Sequence, residues 1–190
     1  MVYESLMAIV EENIDKLTES WEQEVKKCEY LETYRSLSDE DLRTKGKILF
    51  ENLLHWLQTG ASNDDAAKYF QQVGVERINE GFPLSEIYYA LYLEKKVLWS
   101  FVVDKEEITG KLNAVDALEF VSVINNYFEL GNFYIIRGYM NELYKALEKS
   151  GKFTEEELKT IISNGALFKE SVRKVKDQMY GEGLSIGIIR

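Results

Sequence analysis

Pro83 is the single proline in a chain of 190 residues, and it stands in a Gly81-Phe82-Pro83 corner between two stretches of helical periodicity. Glycine closes a helix because it tolerates the left-handed conformation. A proline just beyond presets φ for a new first turn and lacks a donor that would be unpaired there anyway. The corner therefore predicts one helix ending at Gly81 and a second, tyrosine-rich and apolar, starting near Ser85. With no other proline to interrupt it, the remainder is free to form long helices. Ahead of the corner, Phe70, Gly74, Arg77 and Gly81 recur at three- and four-residue steps, which puts Arg77 on an apolar face. A charge held there needs a partner. That partner is either a carboxylate ligand or an internal glutamate such as Glu80 or Glu94, and the abundance of acids favours the glutamate.

The same periodicity organises the rest. Leu6, Ile9, Val10, Ile14, Leu17, Trp21 and Val25 predict a first helix from about Tyr3 to Lys27. Ser38-Asp39-Glu40-Asp41 is a capping signature for a second, with an apolar line through Leu42, Gly46, Leu49, Leu53, Trp56 and Leu57 and an end at Gly60. A third starts after Ser62-Asn63 and runs to the corner; the fourth carries Ile87, Leu91, Val97, Leu98 and Phe101 and ends near Asp104, with a turn at Thr109-Gly110. From Leu112 to about Lys149, apolar residues recur at Val115, Leu118, Val121, Ile124, Phe128, Ile135, Tyr139 and Leu143. A single helix here would exceed roughly 50 Å, so it either bends near Gly131 or extends as a dimerising or signal-transmitting element. Gly131 and Gly138 share a face and allow close helix approach. Thr154-Glu155-Glu156-Glu157 caps a short helix that stops at Asn164-Gly165, another follows from about Ala166 to Met179, and an apolar cluster closes the chain. The expectation is an all-α body over 1–149 and a helical tail or linker over 150–190.

Hydrophobic residues make up 45% of the chain and aromatics 13%, enough for a domain of this length to bury a core without staples. The net charge of −10 repels nucleic acid and anionic lipid, and no dense basic stripe offsets it. Cys28 is the lone cysteine, which excludes an internal disulfide and fits a reducing compartment. Acidic residues stand where a signal peptide has basic ones, and no window approaches the roughly 18 apolar residues of a membrane span. These features predict a soluble cytoplasmic protein with no nucleic-acid partner and no membrane span.

Catalytic constellations are absent from the sequence. One histidine and one cysteine stand far apart, with no Gly-rich phosphate loop and no His-Glu-x-x-His. Glu51 and His55, four apart, supply two metal ligands, too few for a site. His55 as an axial haem ligand is the alternative cofactor reading, and it requires a deep apolar pocket around the ring nitrogen. Otherwise His55 complements the carbonyl dipole near a helix end. The expectation is a non-enzymatic protein without cofactor or metal. Tyrosines crowd the fourth helix (Tyr88, Tyr89, Tyr92) and the long one (Tyr127, Tyr134, Tyr139), and each buried hydroxyl needs a partner. Core packing explains most of them. The functional reading is an elongated apolar pocket between these helices with Arg77 as anion anchor, lined by Arg77, Tyr88, Tyr92, Trp99, Tyr127 and Tyr134.

The run Tyr69…Gly74-x-x-Arg77-x-x-x-Gly81-x-Pro83-Leu84-x-Glu86-Ile87, with Trp21, Leu98-Trp99 and Asn126-Tyr127-Phe128…Tyr134…Arg137-Gly138-Tyr139, resembles the RsbR/RsbRD-type N-terminal sensor domains of stressosome proteins. The likeness covers roughly residues 1–148 and is similar also to stand-alone sporulation-inhibitory sensor domains linked to fatty-acid binding. It implies a non-haem, globin-like helical bundle with a long last core helix and a short helical tail. It further implies a homodimer built on the first and last helices, a signalling-protein partner, a small apolar or acidic ligand, and helices two and three crossing closely at Gly46 and Gly74. Residues 151–190 match no output domain, which leaves a native tail and the stump of a linker as alternatives.

Overall fold

Helical periodicity becomes helix throughout the computed structural model, which describes residues 2–103 and 114–163. The elements are α1 (Val2–Lys27), α2 (Glu32–Arg35), α3 (Asp39–Gln58), α4 (Asn63–Asn79), α5 (Leu84–Val103), α6 (Ala114–Lys149) and α7 (Glu155–Ser163). Secondary structure among the described residues is all-α. The expected turn at Thr109-Gly110, the helix from Ala166 and the final apolar cluster lie outside them. The chain forms two compact units, Met1–Glu142 and Leu143–Arg190.

Capping explains the starts. The Ser38 hydroxyl accepts from the Asp41 amide at 3.1 Å, and the Ser62 hydroxyl accepts from that of Asp65 at 3.4 Å. In the second unit Thr154 and Glu157 close a reciprocal capping box. The Glu157 amide donates to the Thr154 hydroxyl at 3.2 Å, and the Thr154 amide donates to the Glu157 carboxylate at 2.8 Å.

The short α2 has no sequence cap, because its N-cap is Leu31. Its cap comes from another helix. Buried Glu86 of α5 accepts from the Thr33 and Tyr34 amides at 2.9 and 3.4 Å and from the Thr33 hydroxyl at 3.0 Å. Removing this carboxylate in Glu86→Ala leaves two amides of a first turn unpaired, an expected loss of about 1–3 kcal/mol in urea denaturation.

In the first unit Trp21, Leu53, Phe70, Leu98, Ile124 and Phe128 are fully buried in one core. Gly46 and Gly74 do not cross each other as the resemblance implied. A methyl on Gly46 would come within 2.5 Å of the Trp21 ring of α1, whereas one on Gly74 would strike the Ile135 carbonyl oxygen of α6. Gly138 returns the contact, since a methyl there would strike the Gln71 carbonyl oxygen of α4. Backbone therefore meets backbone where α4 and α6 cross, and α6 runs unbroken through Gly131. Gly138→Ala gains about 1 kcal/mol of helix propensity, but the oxygen it meets cannot rotate away. A net loss of about 1–3 kcal/mol is expected by chemical denaturation.

The long helix holds a second departure. Its buried line is Phe120, Val123, Ile124, Tyr127, Phe128 and Ile135, whereas Leu118 and Val121 of the expected line face outward. Both lines satisfy three/four spacing, and only packing chooses between them.

Candidate functional site

The Gly-Phe-Pro corner is built as the sequence predicts. Gly81 takes φ +84°, the Phe82 amide donates to the Arg77 carbonyl at 2.9 Å, and the Glu86 and Ile87 amides donate to the Pro83 carbonyl. Arg77 is buried on α4 and faces inward. Its Nη1 donates to Glu80 Oε2 at 3.0 Å, and Lys45 Nζ reaches the same oxygen at 2.9 Å. Both cations lie 5.6 Å from the centre of the Phe82 ring. Desolvation raises the Glu80 carboxyl pKa, but Lys45 and Arg77 outweigh it and hold the group below its ordinary value. The internal glutamate thus takes the role open to an acidic ligand. A cavity of only about 10 Å³ adjoins Arg77, lined also by Tyr34, Leu49, Val73 and Ile135. That is scarcely room for one water.

A second polar group lies in the core. Glu94 of α5 is fully buried, and neither carboxyl oxygen has a hydrogen-bond partner. Its pKa is driven well above the ordinary value by desolvation alone. The buried Tyr127 hydroxyl of α6 is likewise unpartnered. Burial raises the pKa values of Tyr69 and Tyr127, and the charge of Glu94 pushes both further in the same direction. The Tyr127 ring packs between Trp56, at 4.9 Å between centroids, and Phe70, at 5.0 Å. Tyr69 and Tyr127 also line a cavity of about 230 Å³ with Asn52, Trp56, Asp65 and Ala66. Exposed His55 and Lys68 stand at its mouth.

The six candidate residues do not share one pocket. Arg77 belongs to the closed corner and Tyr127 to the larger cavity. Trp99 packs edge-on to Phe120 at 6.1 Å, and Tyr134 packs on Phe133 at 5.0 Å. Tyr88 and Tyr92 are half exposed, because the core stripe of α5 runs through Ile87, Ala90, Leu91, Glu94 and Leu98 and leaves them outward. His55 is exposed rather than sunk in an apolar pocket, and 230 Å³ is below the roughly 300–1,000 Å³ of cofactor sites. The residues present do not fit a haem. Among the described residues no cluster of three or more His, Cys, Asp or Glu is placed to hold a metal. No described helix is long and apolar enough to cross a membrane. Sequence reasoning missed Trp56 and Tyr69 as cavity walls. It weighed Glu94 only as a partner for Arg77, although an acid in register with Leu91 and Leu98 marks a buried carboxyl.

Fold and site together define an all-helical domain with a self-contained charged corner and an aromatic-walled cavity. The profile of the RsbT co-antagonist protein rsbRD N-terminal domain matches residues 8–148, and the chain belongs to that family of signalling-related N-terminal domains. No curated protein and no solved structure matches it.

Glu94 gives the site a measurable pH signature. Its pKa in the folded state lies above the unfolded value, so the native state binds the proton more tightly. Its contribution is fully present below the ordinary value of 4.5 and is lost as pH rises toward the folded value. Glu94→Gln keeps the shape without the ionisation. In thermal melts the variant should exceed wild type by several degrees at mildly alkaline pH, and the gap should close toward acid pH.

Proposed function

We propose that this chain is a non-enzymatic regulatory domain of a signalling protein, acting as a homodimer and passing its state to a protein partner along α6. The observation that carries the reading is the outward apolar stripe of α6. Leu118, Val121, Phe133 and Ile136 are 70%, 37%, 55% and 40% exposed outside the core line, as two pairs with Asn125 and Glu129 between them. Large apolar side chains repeated along one face of a helix mark an association surface. The outward face of α1 carries Glu11, Glu12, Asp15 and Glu19, whose like charges would oppose one another across a two-fold axis. In this reading the apolar part of the interface lies on α6.

A double substitution, Phe133→Glu with Ile136→Glu, tests this. Both positions are exposed, so folding should be nearly unaffected. Light scattering after gel filtration should give a dimer for wild type and a monomer for the variant, with equal helicity by circular dichroism. A monomeric wild type at high micromolar concentration would remove the reading.

A second reading is favoured by the unpartnered Tyr127 hydroxyl beside the cavity of about 230 Å³. In this reading the domain senses a small molecule there. Arg77 is paired and enclosed, so the ligand is small and apolar in its body and is not anchored by that guanidinium.

A further inference from the structure

The outward residues of α6 are ordered almost symmetrically about the position of Tyr127. Leu118 and Ile136 stand nine residues to either side of it, Val121 and Phe133 six, and Asn125 and Glu129 two. Leu118 and Ile136 are eighteen residues apart, which is about five whole turns, so they lie on one line of the helix. Glu119 and Arg137 share that separation and form a second line beside the first. Both are exposed, and neither enters an ion pair among the described residues. At about 1.5 Å per residue they stand about 27 Å apart, too far to pair within one chain.

We propose that two copies of this chain pair antiparallel along α6, with the two-fold axis perpendicular to the helix at the level of Tyr127. The proposal rests on the dimer reading above and fixes its orientation and register. In this arrangement Leu118 meets the partner's Ile136, and Val121 comes level with the partner's Phe133. Apolar contact alone does not choose a direction, because a parallel pair also sets apolar on apolar. Charge does. A parallel pair brings Glu119, Glu129 and Arg137 each beside its own copy, like against like, between chains that already carry −10 each. The antiparallel pair instead brings Glu119 to the partner's Arg137 at both ends. It also brings the Asn125 amide, a donor, to the partner's Glu129 carboxylate. Lys95 lies 3.5 Å from Glu129 within the same subunit, so the midpoint carries no unopposed charge.

Disulfide trapping of the full chain in a Cys28→Ser background, with light scattering on the same samples, tests it. A disulfide needs Cα atoms within about 7 Å of each other. Leu118→Cys and Ile136→Cys chains, mixed after separate purification, should give a covalent heterodimer under mild oxidation. Neither single variant alone should cross-link, because equivalent positions are then about 27 Å apart. Charge exchange checks the two ends independently. Glu119→Arg and Arg137→Glu should each weaken the dimer by about tenfold, and the two together in one chain should restore it. Self-cross-linking of either single variant overturns the antiparallel register and leaves the dimer reading standing. A dimer by light scattering that no cysteine combination traps does the same. A monomeric protein that no combination traps overturns both the register and the dimer reading.

Discussion

Trp21 of α1 is where α1, α2, α3 and α5 are tied together. Its ring lies on Gly46 of α3, its Nε1 donates to the Ala90 carbonyl of α5 at 2.9 Å, and its edge meets Tyr34 of α2 at 6.1 Å. Tyr34 then packs on Phe82 at 4.6 Å, and Phe82 receives the Arg77 guanidinium. A fully buried indole needs its N–H satisfied, and it is met by the carbonyl of a neighbouring helix. This fixes both the distance and the rotation of α1 against α5. The absent side chain at Gly46 is the other half of the arrangement, since any Cβ there would displace the ring.

Three glutamates in the same region show how environment sets the role of one residue type. Glu80, partly exposed between Lys45 and Arg77, is an ordinary anion made more acidic. Glu86 gives both oxygens to the start of α2 and replaces a cap that the local sequence lacks. Glu94 has neither cation nor donor, and burial holds its proton on. Glu80 stabilises the native state as a charge, and Glu86 does so as an acceptor of hydrogen bonds. The third costs stability wherever it must ionise, which is the reason to look for function around it.

The arrangement of α6 connects these groups to the outside. Its inward face carries Tyr127 beside the cavity and Gly138 against α4, while its outward face carries Phe133 and Ile136. Because backbone touches backbone at Gly74 and Gly138, α6 has little freedom to slide on α4. A change at Tyr127 and the presentation of the outward stripe are therefore properties of one rigid element.

By itself the sequence determined the helical class, the helix starts at Ser38, Ser62 and Thr154, the left-handed stop at Gly81 and the inward face of Arg77. Each of these is local: a cap, a positive φ and a 3.6-residue period act within one or two turns. Tertiary structure alone decided which of two equivalent stripes of α6 is core, that Glu86 caps a helix far away in sequence, that Gly46 serves Trp21 and Gly74 serves α6, and that Tyr88 and Tyr92 face outward. It also decided that Arg77 pairs through Nη1 with Glu80, with its Nε left unpartnered, whereas Glu94 pairs with no cation. Periodicity places a side chain on a face but carries no information about what that face meets, and pairing, burial and cavity formation depend on the meeting.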